Sequence, residues 1–145
     1  MRPTRDFTAT TFVVHQGKVL LLFHRKLQMW LPPGGHIDPD ELPDEAALRE
    51  ALEETGVEIE LVGEREPAGF AYALARPRGV QLETIAPGHE HIDLIYFGRP
   101  VGGRTRLNAR EAEQVGWFGL NELEGLGVND EIRYWCRKAV AALEG

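Results

Sequence analysis

Apolar and polar residues follow one another along this chain in a pattern that predicts several strands and two helices. Residues 7–15 and 18–24 are rich in β-branched and aliphatic side chains, and Gln16-Gly17 between them predicts a hairpin turn. Apolar residues recur at helical spacing in residues 43–56 and 129–143. Alternating or apolar runs predict further strands at residues 58–63, 70–74, 80–85, 89–97 and 115–118, and residues 98–108 predict a loop. This order predicts an α/β (α+β) fold in a single domain covering residues 1–145.

The first predicted helix has recognisable signals at both ends. Pro43 suits the first helical position, where the missing N–H is not needed, and Gly56 suits a left-handed cap after the last turn. At about 100° per residue, the following residues share one largely apolar face, which is predicted to be buried: Ala47, Leu48, Ala51, Leu52 and Thr55.

Another face of this helix carries three carboxylates, those of Glu50, Glu53 and Glu54. Like charges at this spacing repel by about 0.2–0.5 kcal/mol per pair, and the helix dipole disfavours anions in the last turn. A bound cation would account for such a stripe, and ligands that are all oxygens favour Mg²⁺ or Mn²⁺ over zinc. The alternative is a solvated acidic face in which Arg49 pairs with Glu53 four residues later.

The loop before this helix adds a second signal. Gly34-Gly35 allow the backbone to approach a ligand closely, and a carbonyl there can complete the coordination of a metal. Gly35, Glu41 and the run from Arg49 through Val57 together resemble the Nudix box, GX5EX7REUXEEXGU. Ala51 is the one departure, since it stands where the pattern usually has Ile, Leu or Val.

The resemblance implies a Nudix fold, an α/β/α sandwich with a central mixed β-sheet. It also implies hydrolysis of the pyrophosphate link of a nucleoside diphosphate joined to another group X. Mg²⁺, with Mn²⁺ as the alternative ion, would be held by Glu50, Glu53 and Glu54 with the Gly35 carbonyl. Arg49 would orient these carboxylates, as groups around a metal site commonly do.

The general base is left open by the resemblance, because it varies across the family. Glu50 is one candidate and Glu53 another, and an acidic residue outside the box, Glu90 or Asp93, is the third option. Glu90 and Asp93 are also predicted to contact the substrate. Both lie in the polar start of the strand predicted at residues 89–97.

The same stretch contains His89 and His91, whose spacing is a weak zinc signal because no third or fourth ligand is evident in the sequence. Alternatively, these histidines contact phosphate or titrate near neutral pH. Arg25 and Lys26 lie in a basic connection that leads to Gly34-Gly35, and are predicted either to meet a substrate phosphate or to form a solvated loop. Trp30 is expected in the core or at its rim, with a base-stacking role as the alternative.

Composition narrows the class of partner. The net charge of −7 argues against polymeric nucleic acid, while a small phosphorylated substrate remains compatible with bound cations. The single cysteine, Cys136, is expected to be packed rather than nucleophilic. No apolar run approaches the roughly 20 residues that span a bilayer, and no leader peptide is evident, so a cytoplasmic location and no membrane partner are expected. Similar proteins are commonly dimers, so a homodimer is possible.

Two other functions remain as hypotheses. One is a Nudix domain that binds or senses a nucleotide without cleaving it. The other is a structural or partner-binding domain with an incidental acidic helix. Retention of all the box carboxylates favours the enzyme, because a domain that only binds has no need of all of them.

Overall fold

The computed structural model describes residues 2–67, 69 and 71–144. Within that part of the chain there are eight strands, two α-helices and a short 3₁₀ helix, Leu120–Glu122. The helices are α1 (Pro43–Thr55) and α2 (Asp130–Glu144). The strands are β1 (Thr4–His15), β2 (Lys18–His24), β3 (Met29–Leu31), β4 (Gly34–His36), β5 (Val57–Leu61), β6 (Gly79–Ala86), β7 (His89–Gly103) and β8 (Ala112–Gly119).

Two long strands, β1 and β7, form the centre of a mixed sheet. They run parallel in register from Thr4 opposite His89 to Val13 opposite Gly98. All other pairings are antiparallel: β4 and β2 pair with β1, β5 and β6 pair with β7, and β3 and β8 pair with β2. The predicted central position of the strand that contains Ile95 and Phe97 is confirmed.

The two helices cover opposite faces of this sheet. On one face, α2 packs Ile132, Cys136 and Ala139 against Phe12 and Ile95. On the other face, α1 packs alanines against Ala9, since side chains alternate between the two faces along β1. The predicted α+β architecture with a central mixed sheet between helices is therefore confirmed.

The predicted burial of α1 is partly wrong. Ala47 and Ala51 are buried, but Leu48 and Leu52 are 39% and 42% exposed. The carboxylate of Glu50 is turned to the strand instead, since a Cβ on Gly35 would lie 2.6 Å from Glu50 Oε1. The face of α1 that is turned to the sheet is centred near Ala47 and Glu54, so Leu48 and Leu52 point away from the contact.

Two predictions between residues 62 and 108 are also wrong. Residues 72–74 are not in a strand, and Phe70 of the predicted 70–74 strand lies outside the described residues. The loop predicted from residue 98 begins only after Gly103, because β7 continues through the glycines. Gly98 allows β5 to approach closely, since a Cβ there would lie 3.0 Å from the Glu60 carbonyl oxygen.

The predicted ends and packing of several elements are confirmed. Gly56 caps α1 with φ 79°, and Asn129 Oδ1 accepts a 2.8 Å hydrogen bond from the Ile132 N–H at the start of α2. Trp30 is a core residue, and the centroid of its ring lies 4.9 Å from that of the Phe118 ring. Cys136 is fully buried. No helix in the described ranges is long and apolar enough to cross a membrane.

Candidate functional site

The glycine pair on β4 lies directly against the acidic face of α1. The Gly34 N–H donates a 2.7 Å hydrogen bond to Glu54 Oε1. A Cβ on Gly34 would lie 2.7 Å from the Ala9 carbonyl oxygen, and a Cβ on Gly35 would overlap the Glu50 carboxylate. Only glycine therefore fits at these two positions without displacing the backbone or a carboxylate of the helix.

Arg49 ties the loop before α1 to the carboxylates on the helix. Its guanidinium donates to Glu41 at 2.8 and 3.0 Å, to Glu50 at 2.9 Å and to the His36 carbonyl at 3.0 Å. A further contact joins Arg49 to Glu53 at 3.3 Å. The hydrogen bond from Arg49 lowers the pKa of Glu41, and the same bond is the main cause that raises the pKa of Arg49. This geometry suits the positioning role predicted for Arg49.

Three carboxylates converge beside the glycine pair. Oxygens of Glu50, Glu54 and Glu111 all lie within 4.8 Å of one another, and we call this group the carboxylate cluster. Glu54 is 5% exposed, whereas the side chain of Glu53 is 53% exposed and contacts Arg49. The structure thus brings together two of the three predicted helix carboxylates and adds Glu111.

Glu111 was not predicted. It follows a segment without regular structure, which the Arg106 N–H and the Asn108 side chain attach to the end of α1 by hydrogen bonds to backbone carbonyls of 2.7 and 3.2 Å. These contacts join residues about 50 positions apart, and no local pattern in the sequence indicates them. The only signal in the sequence that could have indicated Glu111 is its place as an acidic residue in an irregular segment before a predicted strand.

Crowding and burial shape the electrostatics of the carboxylate cluster. Burial, together with the charges of Glu50 and Glu111, raises the pKa of Glu54 to about 9, although the Gly34 N–H opposes this shift. Burial also raises the pKa of Glu50, against the effect of Arg49. Arg49 contacts only Glu50 among these three carboxylates, so their oxygen donors retain a net negative charge. Such a set fits a hard divalent cation, which would relieve the repulsion.

A polar cleft of about 360 Å³ lies beside the carboxylate cluster. It is lined both by Glu54 and Glu111 and by basic side chains. The predicted residues Arg25 and Lys26 are among these, and Arg25 is held by a 2.9 Å hydrogen bond from its Nε to the Ala109 carbonyl. The remaining lining residues are Gly34, His24 and Arg110.

A second, more apolar cleft of about 380 Å³ lies under α2 and shares Gly34 with the polar cleft. Its apolar walls include Phe12, Leu27, Met29, Leu31, Ile85, Ile95 and Ile132. Asp93 lies in its floor, only 3% exposed, and accepts 2.9 Å hydrogen bonds from the hydroxyls of Thr8 and Thr10. Burial, with the nearby charge of Glu83, raises the pKa of Asp93 to about 8.

The structure does not bring Glu90 or Asp93 into the carboxylate cluster. Asp93 points to the face of the sheet that α2 covers, together with Thr8 and Thr10. Glu90 points to the opposite face and forms a 2.8 Å ion pair with Arg5. Both placements follow from the alternation of side chains along β7. Sequence spacing predicts that Glu90 and Asp93 lie on opposite faces of the sheet, but it does not predict where α1 lies relative to them.

Comparisons with known proteins agree with this architecture. The family model of the NUDIX domain matches residues 5–141. The chain is 31% identical over 116 residues to a putative 8-oxo-dGTP diphosphatase of Bacillus subtilis (strain 168), a match that covers 79% of this chain and 67% of that protein. It is 36% identical over 82 residues to the asymmetrical bis(5'-nucleosyl)-tetraphosphatase of Rattus norvegicus, where the match covers 48% of this chain and 55% of the relative.

Solved structures extend the similarity to the whole fold. The chain superposes on a hydrolase of the NUDIX family from Clostridium perfringens with a TM-score of 0.83 and 30% identity, covering 97% of this chain and 99% of that one. A MutT NUDIX hydrolase from Burkholderia pseudomallei gives a TM-score of 0.70 at 22% identity, which supports the fold alone.

Proposed function

The chain belongs to the NUDIX family, and from that premise we propose that it is a divalent-metal-dependent hydrolase. Its substrate would be a nucleoside diphosphate joined to another group X, cleaved at the pyrophosphate link. The observation that carries this proposal is the carboxylate cluster, which lies at the glycine pair where the polar cleft meets the apolar cleft. A solvated acidic face would not need a carboxylate as buried as that of Glu54 at this position.

The two clefts match the two chemical parts of such a substrate. The apolar cleft, with its few polar groups, suits a nucleobase, and Asp93 there would contact the substrate. The polar cleft suits phosphates, because Arg25 and Lys26 supply positive charge beside the carboxylates. Gly34 lies at the junction, so a diphosphate would pass close to its backbone.

The carboxylate cluster would hold Mg²⁺, with Mn²⁺ as a possible substitute. Glu50, Glu54 and Glu111 supply the oxygen donors, and the Gly35 carbonyl is a further ligand that the box resemblance implies. The resemblance also implies Glu53 as a ligand, but its carboxylate is outside the cluster and half-exposed, so we assign it another role. When bound, the cation would neutralise charge on the phosphate oxygens and make an attacking water more acidic. Arg49 would keep the carboxylates of α1 in place throughout.

Glu53 is our proposed general base. Its carboxylate is half-exposed, so water reaches it, and Arg49 holds it on the same helix face as Glu50 and Glu54. Glu50 is more enclosed and already lies in the cluster. To test this choice, Glu53 and Glu50 are each replaced by Gln, and turnover is measured as a function of pH. The general base is the residue whose replacement removes the fall of turnover at low pH.

A panel of substrates tests the identity of the group X and of the nucleobase. The names of the two relatives supply 8-oxo-dGTP and a dinucleoside tetraphosphate, and a short RNA with a 5'-triphosphate represents a polymeric substrate. Each compound is incubated with the chain and Mg²⁺, Mn²⁺ or EDTA, and products are separated by chromatography. We expect metal-dependent cleavage of a small nucleotide rather than the RNA, since the net charge of −7 disfavours a polymer.

The competing hypothesis is a domain that binds nucleotides without cleaving them. Nucleotide binding without product formation from any compound, with Mg²⁺ or with Mn²⁺, would favour it. The complete carboxylate cluster favours the enzyme.

A further inference from the structure

Three of the five histidines in this chain gather where the central strands β1 and β7 begin, outside the carboxylate cluster. His89 and His91 lie two residues apart on β7 and so share a face. Asp6 on β1 is the register partner of His91 and lies on the same face. His36, at the end of β4, packs its ring against His91 with centroids 5.0 Å apart. We call these four residues the histidine cluster.

The distances within the histidine cluster resemble those of a metal site. His36 Nε2 and His89 Nε2 each lie 3.3 Å from Asp6 Oδ2. Ligand atoms of Asp6, His89 and His91 all lie within 4.8 Å of one another. Ligands around a tetrahedral zinc, at about 2.0–2.1 Å from the ion, are separated from one another by about 3.3 Å. An ordinary charge-assisted N–H···O bond is shorter, about 2.7–2.9 Å.

A hydrogen bond outside the cluster orients one of the imidazoles. The Thr4 hydroxyl lies 3.2 Å from the Gly88 carbonyl, to which it donates, and 2.8 Å from His89 Nδ1. With its one proton directed to the carbonyl, this hydroxyl accepts from the Nδ1–H of His89. The lone pair of His89 Nε2 is then directed towards Asp6. Metal-binding histidines are commonly held in this way through their second nitrogen.

We propose that Asp6, His36, His89 and His91 form a second metal site, which binds a divalent transition metal such as Zn²⁺. Imidazole nitrogens favour such ions, whereas the oxygens of the carboxylate cluster favour Mg²⁺. The four side chains are partly exposed, so an ion can enter from solvent. The site would connect β1, β4 and β7, and so would stabilise the strand that carries Gly34 and Gly35.

Zinc binding is measured on the full chain after removal of any affinity tag and treatment with a chelator. Calorimetric titration with Zn²⁺ is carried out in saturating Mg²⁺, so that the carboxylate cluster is occupied. We expect one Zn²⁺ per chain and a zinc-dependent rise in melting temperature. Co²⁺ in place of Zn²⁺ is expected to give the intense visible absorption of a tetrahedral site. His89→Ala and His91→Ala are each expected to weaken zinc binding by at least about 100-fold.

Matched variants separate this site from other sources of zinc binding. His15→Ala removes a histidine outside the cluster and is expected to leave zinc affinity unchanged. Glu54→Gln is also expected to retain it. Affinity that persists in the His89 and His91 variants, or that is lost in Glu54→Gln, would overturn the proposal. If a β7 variant does not fold by circular dichroism, His36→Ala and Asp6→Asn on the exposed side replace it, with a loss of at least about 10-fold expected.

Discussion

Gly35→Ala is a sharp test of how the glycine pair supports the site. The added Cβ would lie 2.6 Å from Glu50 Oε1, so the carboxylate must move by about 0.8 Å to reach an ordinary contact of 3.4 Å. The obstacle is the end of a side chain, so the fold should tolerate the change. Misplacement of a catalytic group by about 1 Å can cost roughly 100-fold in rate, equivalent to about 2.7 kcal/mol in the barrier. We therefore expect kcat to fall by roughly 100-fold with little change in melting temperature.

The assay follows turnover at saturating Mg²⁺ with the best substrate of the panel, alongside thermal unfolding. Gly125→Ala is the matched control, because a Cβ there meets only an ordinary contact at 3.6 Å, and it should leave both turnover and melting temperature unchanged. Gly34→Ala gives the opposite contrast. Its Cβ would lie 2.7 Å from the Ala9 carbonyl oxygen, an atom of the β1 backbone, so this variant should lose stability as well as activity.

Wild-type turnover in a folded Gly35→Ala protein would refute this reasoning. It would mean that the position of the Glu50 carboxylate does not limit the reaction. A loss of stability as large as that of Gly34→Ala would also contradict it, since the two glycines would then have the same structural role.

Three further predictions concern other parts of the molecule. Arg49→Lys should lower kcat at least about 10-fold in a steady-state assay while the fold stays intact, because an ammonium group cannot reproduce the paired hydrogen bonds to Glu41. An unchanged kcat would contradict the positioning role of Arg49. Cys136 is fully buried and burial raises its pKa to about 12, so a thiol reagent at pH 8 should label it only after denaturation. Burial, then the Asp44 charge, raises the pKa of Tyr96 to about 12 from 10.0. The folded state therefore holds this proton more tightly than the unfolded chain, and stability should fall as pH rises from 10 to 12. In Tyr96→Phe, the free energy of unfolding measured by chemical denaturation should depend less on pH between pH 10 and 12. The same pH dependence in the variant and in the wild type would exclude Tyr96 as the cause.

The sequence predicted α1 and the loop before it well, because their determinants are local. Pro43 and Gly56 define the ends of the helix through backbone chemistry, and helical spacing alone places Glu50 and Glu54 near one another. The same local logic failed for Leu48 and Leu52. Their exposure depends on which face of α1 is turned to the sheet, which is a tertiary property.

The parts of both candidate sites that were not predicted come from distant segments. Glu111 reaches the carboxylate cluster through a loop whose path depends on contacts with the end of α1. Asp6 and His36 supply the third and fourth partners that the sequence did not reveal for His89 and His91. The parallel pairing of β1 with β7 places Asp6, and the antiparallel pairing of β4 with β1 places His36. Spacing along one strand cannot predict such pairings.

The most direct test of the central claim is the turnover of Glu54→Gln, measured by product formation at saturating Mg²⁺. Glu54 is the most buried of the box carboxylates and accepts a hydrogen bond from the Gly34 N–H, so this substitution replaces one charged carboxylate of the cluster by a neutral amide. Glu58→Gln is the control, since it makes the same change on an exposed position of β5. We predict a fall of at least about 100-fold for Glu54→Gln and none for Glu58→Gln. Near-normal turnover in a folded Glu54→Gln protein would contradict the assignment of the carboxylate cluster as the metal site of a hydrolase.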